Sequence, residues 1–391
     1  MSAPVFHWFL PTGGDDRVLG AASHGAAIGA TGAPGPGSPT PLAPGHREPT
    51  LGYLTRLATA VEDLGFAGVL TPTGAHCEEA WLVTAALLAQ TRRLRFLVAL
   101  RPGLMSPVLA AHFAATFQLL SQDRLMLNVV VGGDPAERRA YGDPAPDEER
   151  YPRATEFLEV VRRALAGETV DHAGPHYAVE GGRLRRPPAV LPPVYLGGSS
   201  PGAIATAARE ADVFLTWGEP VDAVAAKVAA VRRAAEEQAR ELWFGIRLHV
   251  ITRDTAAEAW ADAERLLAGV DEATVRARQA SLRRLASVGQ QRMLDLHGGD
   301  RSRLLVAPNL WAGIGLVRGG AGTALVGSHA EVAERIEEYR AAGIDEFILS
   351  GYPHLEEAYA VGEGVLPLFG RPEAPAPTVG AGATGTAATA G

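Results

Sequence analysis

The sequence predicts a parallel α/β barrel of the TIM (β/α)8 type, and three observations favour that fold class. Short apolar runs alternate with amphipathic helical stretches from about residue 5 to residue 366. Several runs are apolar at both odd and even positions, as expected of strands covered on both faces. The number of runs is close to the eight strands that close such a barrel. A doubly wound open sheet is the alternative architecture.

The candidate strands follow one another in order along the chain. They span residues 5–10, 66–70, 94–100, 125–131, 194–196, 213–217, 244–251 and 346–349. Helices fit the segments between them; residues 53–64, for example, place apolar side chains at helical spacing and stop before Gly65, a residue typical of helix C-termini. We therefore expect a single barrel domain over residues 1–370.

Three segments interrupt this alternation. Residues 21–47 are rich in Gly, Ala and Pro and predict a mobile loop after the first strand. Residues 371–391 have almost no large apolar side chains and predict a disordered tail. Residues 271–327 precede the last β-α unit and contain a glycine-rich run around Arg318, which predicts a mobile insertion that can change shape.

Composition and charge argue against several classes of protein. The formal net charge is -8 and the pI is about 5.8, whereas a nucleic-acid binder needs a basic face to neutralise phosphates. No apolar stretch approaches the ~20 residues that span a bilayer. The single cysteine, Cys77, cannot form an internal disulfide, and no leader-like segment opens the chain. We expect a cytoplasmic protein without nucleic-acid or membrane partners.

Polar residues at the C-terminal ends of the strands are the candidates for chemistry, because active sites of such barrels lie there. The residues that follow the predicted strands are Thr12, Asp15, Thr73, Cys77, Arg101, Asn128, Asp134, Ser199, Ser200, Trp217, Glu219, Arg247, His249, Tyr352 and His354. This set is unusually polar for positions beside apolar strands, so we place the candidate active site at this end of the barrel.

A glycine-serine turn, GGSS at residues 197–200, follows a strand and opens a helix. Its backbone N–H groups, the hydroxyls of Ser199 and Ser200 and the helix dipole could together hold a phosphate. A serine that caps the helix after a tight turn is the alternative interpretation.

A cation and an imidazole share one face of a predicted strand. Arg247 and His249 are two residues apart, so their side chains point the same way and predict a polar barrel lining. A hydrogen-bonded pair in the core is the alternative. No His-x-x-x-His motif or cluster of His and carboxylates has the spacing of metal ligands, so we predict no metal site.

Three further residues each allow two interpretations. Cys77 is a nucleophile only if a base lies beside it, and a small pocket-lining thiol is the reading we favour. Trp217 could stack on a flat cofactor or belong to the core. Arg318, an arginine among glycines, suits the capture of an anion, and a solvated loop charge is the alternative.

A series of sequence blocks carries a resemblance to a known family. The blocks are FLPTG (9–13), GVLTPTG (68–74), CEEAW (77–81), FLVALRP (96–102), TWGEP (216–220), FGIRLHVI (244–251), SVGQQRM (287–293), PNLWAG (308–313), GLVRGGAGTALVG (315–327) and LSGYPHLEEAY (349–359). Over about residues 5–370 the chain resembles the FMNH2-dependent alkanesulfonate monooxygenases of the bacterial luciferase-like superfamily.

That resemblance implies a TIM barrel with a mobile insertion, assembled as a homotetramer. It also implies FMN in its reduced form, O2 as cosubstrate, a separate NAD(P)H-dependent FMN reductase, and an alkanesulfonate substrate converted to an aldehyde and sulfite. Carried over position by position, the catalytic residues are Cys77, Arg247, His249, Arg318, Tyr352 and His354. The residues assigned to cofactor binding are Asn128, Tyr151, Gly198, Ser199, Ser200 and Trp217.

The chain departs from the family pattern at three places. The family commonly has NLVTGSD where this chain has NVVVGGD (128–134), so Val131 and Gly133 replace hydroxyls expected near the flavin. His76 stands where a small residue is common, which would change the polarity beside Cys77. The loop at residues 21–47 is longer than the family pattern leads us to expect.

Other functions on the same barrel stay open at this point. One is a methanesulfonate- or dimethylsulfone-type relative, or another luciferase-like oxygenase. A second is a deazaflavin-dependent dehydrogenase that needs no oxygen, although the TWGEP and GIRLH blocks favour FMN. A third is a non-catalytic flavin-binding barrel, against which the two arginines argue because a storage protein has no use for an anion clamp.

Overall fold

The computed structural model describes residues 3–19 and 45–370. The predicted tail at 371–391 lies outside the described residues, as does all but the end of the predicted loop at 21–47. The described residues form an α/β barrel with an insertion before its last strand.

The helices and strands alternate along the chain. The first half contains β1 (Val5–Phe9), α1 (Leu51–Asp63), β2 (Gly68–Thr71), α2 (Ala80–Leu87), β3 (Arg95–Leu100), α3 (Pro107–Ser121), β4 (Leu125–Val129), α4 (Pro135–Ala140), α5 (Arg150–Leu165), β5 (Val170–Ala173), β6 (Ala178–Gly182) and β7 (Val194–Gly197). The second half contains α6 (Pro201–Glu210), β8 (Val213–Trp217), α7 (Val221–Glu236), β9 (Trp243–Arg253), α8 (Ala256–Leu267), α9 (Glu272–Leu282), α10 (Val288–His297), β10 (Leu305–Ala307), β11 (Leu310–Trp311), β12 (Ala324–Ser328), α11 (His329–Ala341), β13 (Glu346–Ser350) and α12 (His354–Gly364).

Eight parallel strands close into a barrel in the order β1, β2, β3, β4, β7, β8, β9 and β13. Closure comes from the pairing of β13 with both β1 and β9, and of β8 with β9. All eight predicted strands are present, so the predicted TIM barrel is confirmed and the open sheet is wrong. The β5–β6 hairpin was not predicted, since its sequence has no regular alternation.

The insertion at 271–327 is attached to the barrel through β9. This strand is 11 residues long, and its second half outlasts β8. At His249 one edge of β9 pairs with Ser350 of β13 and the other with Ala324 of β12. β12 thereby takes the place of β8 at the C-terminal end, and β10 and β11 extend it as an antiparallel ribbon. The insertion contains regular structure; its mobility stays a prediction.

Alternation along each strand divides the core into two layers. Residues of one parity, such as Trp8, Phe96 and Phe347, pack against the surrounding helices. Residues of the other parity fill the barrel interior, and the apolar ones are Phe9, Leu70, Leu97, Met126, Tyr195, Val213, Leu215 and Ile348. The same inward parity leads to the candidate residues at the C-terminal ends.

The helices begin and end where local chemistry dictates. Ser200 accepts a hydrogen bond from Ala203 N at 3.2 Å, and Pro201 opens α6 with its fixed φ. The predicted end of α1 is correct. Leu64 is the C-cap of the helix, and Gly65 follows with φ +93°, a backbone conformation in which a side chain would be strained.

A buried polar cluster fills the N-terminal end of the barrel interior. Glu346 accepts a hydrogen bond from Tyr195 Oη at 2.9 Å and lies 3.2 Å from His7 Nε2. Burying a polar group costs free energy unless it has a hydrogen-bond partner, and Tyr195 and His7 are the two partners of the Glu346 carboxylate.

Tyr195→Phe should lower the free energy of unfolding by about 1–2 kcal/mol, because Glu346 loses a buried donor. Urea unfolding followed by fluorescence measures the change. Tyr359→Phe is the control: its side chain is 44% exposed and its replacement should change stability by less than about 0.5 kcal/mol. Equal changes in the two variants would contradict a role for this cluster.

Candidate active site

A cavity of about 740 Å³ opens at the C-terminal ends of the strands. Its floor is made by inward-facing residues of the barrel, and the insertion supplies one wall. The strand residues that line it include Phe9, Leu70, Ala99, Asn128, Gly197, Leu215, Trp217, Arg247 and Ile348; the insertion residues are Leu285, Ala286, Ser287, Val288, Gly289, Gln290, Gln291, Arg318, Gly319, Gly320 and Ala321. The barrel and the insertion therefore build one site together.

Two buried guanidinium groups meet at this cavity on the ring of Phe9. The Cζ atom of Arg247 lies 4.6 Å from the ring centroid, and that of Arg318 lies 5.8 Å from it. Both side chains are over nine-tenths buried. Within the described part of the chain neither forms an ion pair, and Arg247 Nη2 and Arg318 Nε are buried without a hydrogen-bond acceptor. Two positive charges with unused donors suit an anion.

The protein holds Arg247 in place through backbone oxygens. Its Nη1 donates to Leu248 O at 2.8 Å, which leaves the far side of the guanidinium to the cavity. Burial, together with the positive charge of Arg318, lowers the pKa of Arg247 to about 9. A bound anion would offset that destabilisation of the charged form.

His249 connects the second arginine to the barrel. His249 Nε2 lies 3.1 Å from Arg318 Nη1 and 3.2 Å from Ala321 O, and His249 Nδ1 lies 2.7 Å from Ser350 Oγ. Burial, with the charges of Arg247 and Arg318, holds the pKa of His249 well below its usual range. The imidazole is therefore neutral.

Tyr352 and His354 lie behind the arginines. The Tyr352 ring stacks on that of His249, with centroids 5.6 Å apart, and the His354 ring stacks on Phe9 at 5.6 Å. Burial raises the pKa of Tyr352 and lowers that of His354, so both are neutral. Neither Tyr352 Oη nor His354 Nδ1 has a hydrogen-bond partner within the described residues.

The glycine-serine turn lies on the opposite part of the cavity lining, at the N-terminus of α6. Gly198, Ser199 and Ser200 all line the cavity. A Cβ atom at Gly198 would meet Ala203 Cβ at 2.5 Å and Tyr151 Oη at 3.2 Å. The Ser200 hydroxyl caps the helix, as the alternative interpretation expected, and the close approach of Tyr151 adds a second hydroxyl to the turn.

The remaining two residues assigned to the cofactor also line the cavity. Asn128 projects from β4, and Trp217 ends β8. A Cβ at Gly289, near the start of α10, would lie 3.3 Å from the Trp217 ring and 3.7 Å from Ser199 Oγ. The insertion thus packs directly over both the aromatic ring and the glycine-serine turn.

Cys77 is set apart from the two arginines. Its thiol donates to Gly74 O at 3.4 Å, and the residue is only partly buried. Burial raises the pKa of Cys77 to about 11, so the thiolate is a minor form at neutral pH. Cys77 is also not among the residues that line the cavity, so its assignment to the active site stays a prediction.

Two of the three departures from the family pattern line the cavity, and the third, the loop at 21–47, lies outside the described residues except for its end. The positions that line the cavity are Val131, Gly133 and His76. Gly133 O accepts a hydrogen bond from Ala286 N at 2.9 Å, and a Cβ at Gly133 would lie 3.1 Å from Ser287 Cβ. The lost side chain therefore makes room for the start of α10. Burial lowers the pKa of His76, which adds a neutral polar ring to the wall.

Sequence reasoning missed Phe9 and the contacts made by α10, although Glu219 was among the polar residues noted at the strand ends. Phe9 looked like an ordinary strand residue, yet its ring carries both guanidinium groups. Gln290 Oε1 accepts from Gly320 N at 2.9 Å, and buried Glu219 binds Arg292 of α10 at 2.6 Å. The signal that could have found Gln290 and Arg292 was the SVGQQRM block (287–293), which contains both residues.

The described part of the chain has neither a candidate metal cluster nor a candidate membrane span. Residues 3–19 and 45–370 contain no group of three or more His, Cys, Asp or Glu side chains that could hold a metal ion. No helix in these same ranges is long and apolar enough to span a membrane.

Comparisons with known proteins agree with this architecture. A family model described as luciferase-like monooxygenase matches residues 24–346. Solved structures similar to this chain include riboflavin lyase (RcaE) with modified FMN and riboflavin, at TM-score 0.75 and 20% identity, covering 94% of this chain and 91% of that chain. EDTA monooxygenase (EmoA) from Chelativorans sp. BNC1 has TM-score 0.71 and 19% identity, covering 94% and 93%. Long-chain alkane monooxygenase (LadA) has TM-score 0.73 and 18% identity, covering 94% and 91%.

At these identities the structural likeness shows the fold alone. The family model matches most of the sequence, from the segment after β1 to the start of β13. The chain therefore belongs to the luciferase-like monooxygenase family.

Proposed function

We propose that this protein is the oxygenase of a two-component system that cleaves the C–S bond of an alkanesulfonate with FMNH2 and O2. The observation that carries the proposal is the pair of buried arginines, Arg247 and Arg318, which line the cavity and have no carboxylate partner among the described residues. One turnover would convert the sulfonate, one O2 and one reduced flavin into an aldehyde, sulfite, oxidised flavin, water and a proton.

The arginine pair supports a sulfonate in particular. A sulfonate is a permanent anion with three equivalent oxygens, so it can accept from two guanidinium groups at once. Because Arg247 and Arg318 have no carboxylate partner among the described residues, an incoming anion would not have to displace an internal one. An alkane or other neutral substrate would leave both charges buried and uncompensated.

The glycine-serine turn fits the phosphate of FMN. Backbone N–H groups at the start of α6 and the hydroxyls of Ser199 and Tyr151 are the donors such a group requires. A side chain at position 198 would fill this cradle. Trp217 and Asn128 would contact the rest of the cofactor, and the riboflavin lyase of similar fold contains a modified FMN.

Reduced FMN, when bound, supplies the electrons that activate O2. The chain's own residues would bind and orient the sulfonate beside it and hold protons. Neutral His249 contacts Arg318 through its Nε2 atom, and Tyr352, whose hydroxyl is buried without a partner among the described residues, is a further candidate for proton transfer. The α10 wall would exclude water.

The whole activity has a direct test. With FMN, an NAD(P)H-dependent flavin reductase and O2, the protein should release sulfite from at least one member of the series from methane- to decanesulfonate. Sulfite is measured with a thiol reagent, and an anaerobic reaction is the control. No sulfite from any member would contradict the proposed substrate class, and the chain-length profile would separate it from methanesulfonate-type relatives.

Arg318→Ala should lower kcat/KM for the sulfonate about 10- to 100-fold, since a hydrogen bond to a charged group contributes ~1.5–3 kcal/mol. FMNH2 binding, measured by fluorescence titration, should change little because the glycine-serine turn is intact. Arg303→Ala, an exposed arginine of the same insertion, is the control and should retain full activity. Wild-type turnover in Arg318→Ala would refute the anion clamp.

The homotetramer implied by the family resemblance also stays a proposal. One face of α3 exposes Leu109, Phe113 and Leu120, which are 45%, 41% and 66% exposed in the single chain. These positions share a helix face, and subunit contacts cover apolar surface of this kind.

We expect Leu120→Glu to shift the protein to a smaller assembly, because a charge would have to be buried in the contact. Light scattering coupled to gel filtration measures the mass. Leu368→Glu, at a residue that is 56% exposed elsewhere, is the control. A wild-type mass equal to one chain would reject the oligomer.

A further inference from the structure

We propose that Asp15 is a positioning residue for the reaction. It holds the first turn of α12, and thereby the His354 ring, against the Phe9 ring on which Arg247 and Arg318 pack. The inference rests on the proposed function, because it assigns Asp15 a role in that site. Asp15 follows β1 and lies outside the cavity lining.

The Asp15 carboxylate contacts the first turn of α12 and the side chain of Tyr53. Both carboxylate oxygens lie 3.0 Å from His354 N, whose N–H they accept. The Tyr53 hydroxyl of α1 donates to the same carboxylate. The Asp15 side chain is fully buried, so these partners replace water completely.

Asp15 does the work of a helix cap from a distant part of the chain. The residue before α12 is Pro353, whose side chain can accept no hydrogen bond from the first turn. The first N–H groups of a helix lack partners inside the helix and attract negative charge. A carboxylate 339 positions away in sequence satisfies the first of them here.

The fixed turn acts on the anion site through aromatic contacts. The His354 ring stacks on Phe9 at 5.6 Å and meets Tyr352 edge-on at 5.4 Å. Phe9 is the ring against which Arg247 and Arg318 pack. A small shift at the start of α12 would therefore move the platform on which both guanidinium groups lie, and positioning errors of ~1 Å can cost ~100-fold in rate.

The surroundings of Asp15 set the pH at which it can act. The charged and titratable groups around it are Tyr53 from α1, Arg47 before α1, Tyr352, and His354 and Glu356 from α12, with Asp16 in its own loop. Arg47 Nη1 lies 3.6 Å from Asp15 and 2.7 Å from Glu356. Burial raises the pKa of Asp15 to about 6, partly offset by Tyr53, the His354 N–H and Arg47.

The raised pKa of Asp15 has opposite effects on stability and on positioning. Because folding raises this pKa, ionisation of Asp15 lowers the stability of the folded protein, and above about pH 6 the fold carries the charged form at that cost. Below that pH the neutral carboxyl is a weaker acceptor for His354 N–H. Turnover should therefore fall as the pH drops through about 6.

Asp15→Asn is the decisive variant, and Asp16→Asn is its matched control. Asp16 is the next residue, is also buried, and bonds to His46 Nδ1 at 2.7 Å instead of to α12. We expect kcat for sulfite release to fall about 10- to 100-fold in Asp15→Asn, with KM changed less than about threefold, and to stay near wild type in Asp16→Asn. The acid limb near pH 6 should disappear from the Asp15→Asn profile, with reduced FMN supplied chemically.

Hydrogen exchange gives a readout that does not need turnover. The amides of residues 352 and 354–358 should exchange faster in Asp15→Asn only. Unchanged exchange there, or an acid limb that persists in Asp15→Asn, would overturn the inference. Wild type that releases no sulfite would instead refute the proposed substrate, and the exchange comparison of the two variants would still decide whether Asp15 holds the turn.

Discussion

The site depends on two like charges kept together out of water. Burial and the charge of Arg318 lower the pKa of Arg247, and neither arginine has a carboxylate partner among the described residues. What holds them is weaker and more directional: backbone carbonyls, one imidazole nitrogen and the face of Phe9. Two buried cations without a carboxylate partner destabilise the fold, and an anionic ligand that binds between them would offset this cost.

The rest of the C-terminal end follows from that constraint. Ser350 Oγ contacts His249 Nδ1, and His249 Nε2 in turn contacts Arg318. The insertion must stay close enough to present Arg318, which explains the contact of Gln290 with Gly320 and of Arg292 with Glu219. At the opposite end, Glu346 is paired and enclosed, so the two ends of one interior have opposite chemistry.

Much of this arrangement could be predicted from the sequence, for a physical reason. Strands covered on both faces are apolar at both parities, so each of the eight was visible, and inward parity made Arg247 and His249 neighbours. Contacts between distant segments leave no such local trace. The bond from Asp15 to His354 N joins positions 339 residues apart, and the platform role of Phe9 depends on where two arginines fold back onto it. Gly133 looked like a lost hydroxyl, whereas its backbone oxygen and open space receive the start of α10.

The long β9 has a mechanical consequence for the entrance. Because β12 is hydrogen-bonded to β9 from Ala324 to Ser328, the C-terminal end of the insertion is fixed to the barrel wall. Any opening of the entrance would therefore involve the preceding part of the insertion, which carries α9 and α10. Arg318 lies six residues before β12 begins at Ala324, between the paired strand and the part of the insertion predicted to be mobile, so a motion of that part would also reposition this guanidinium.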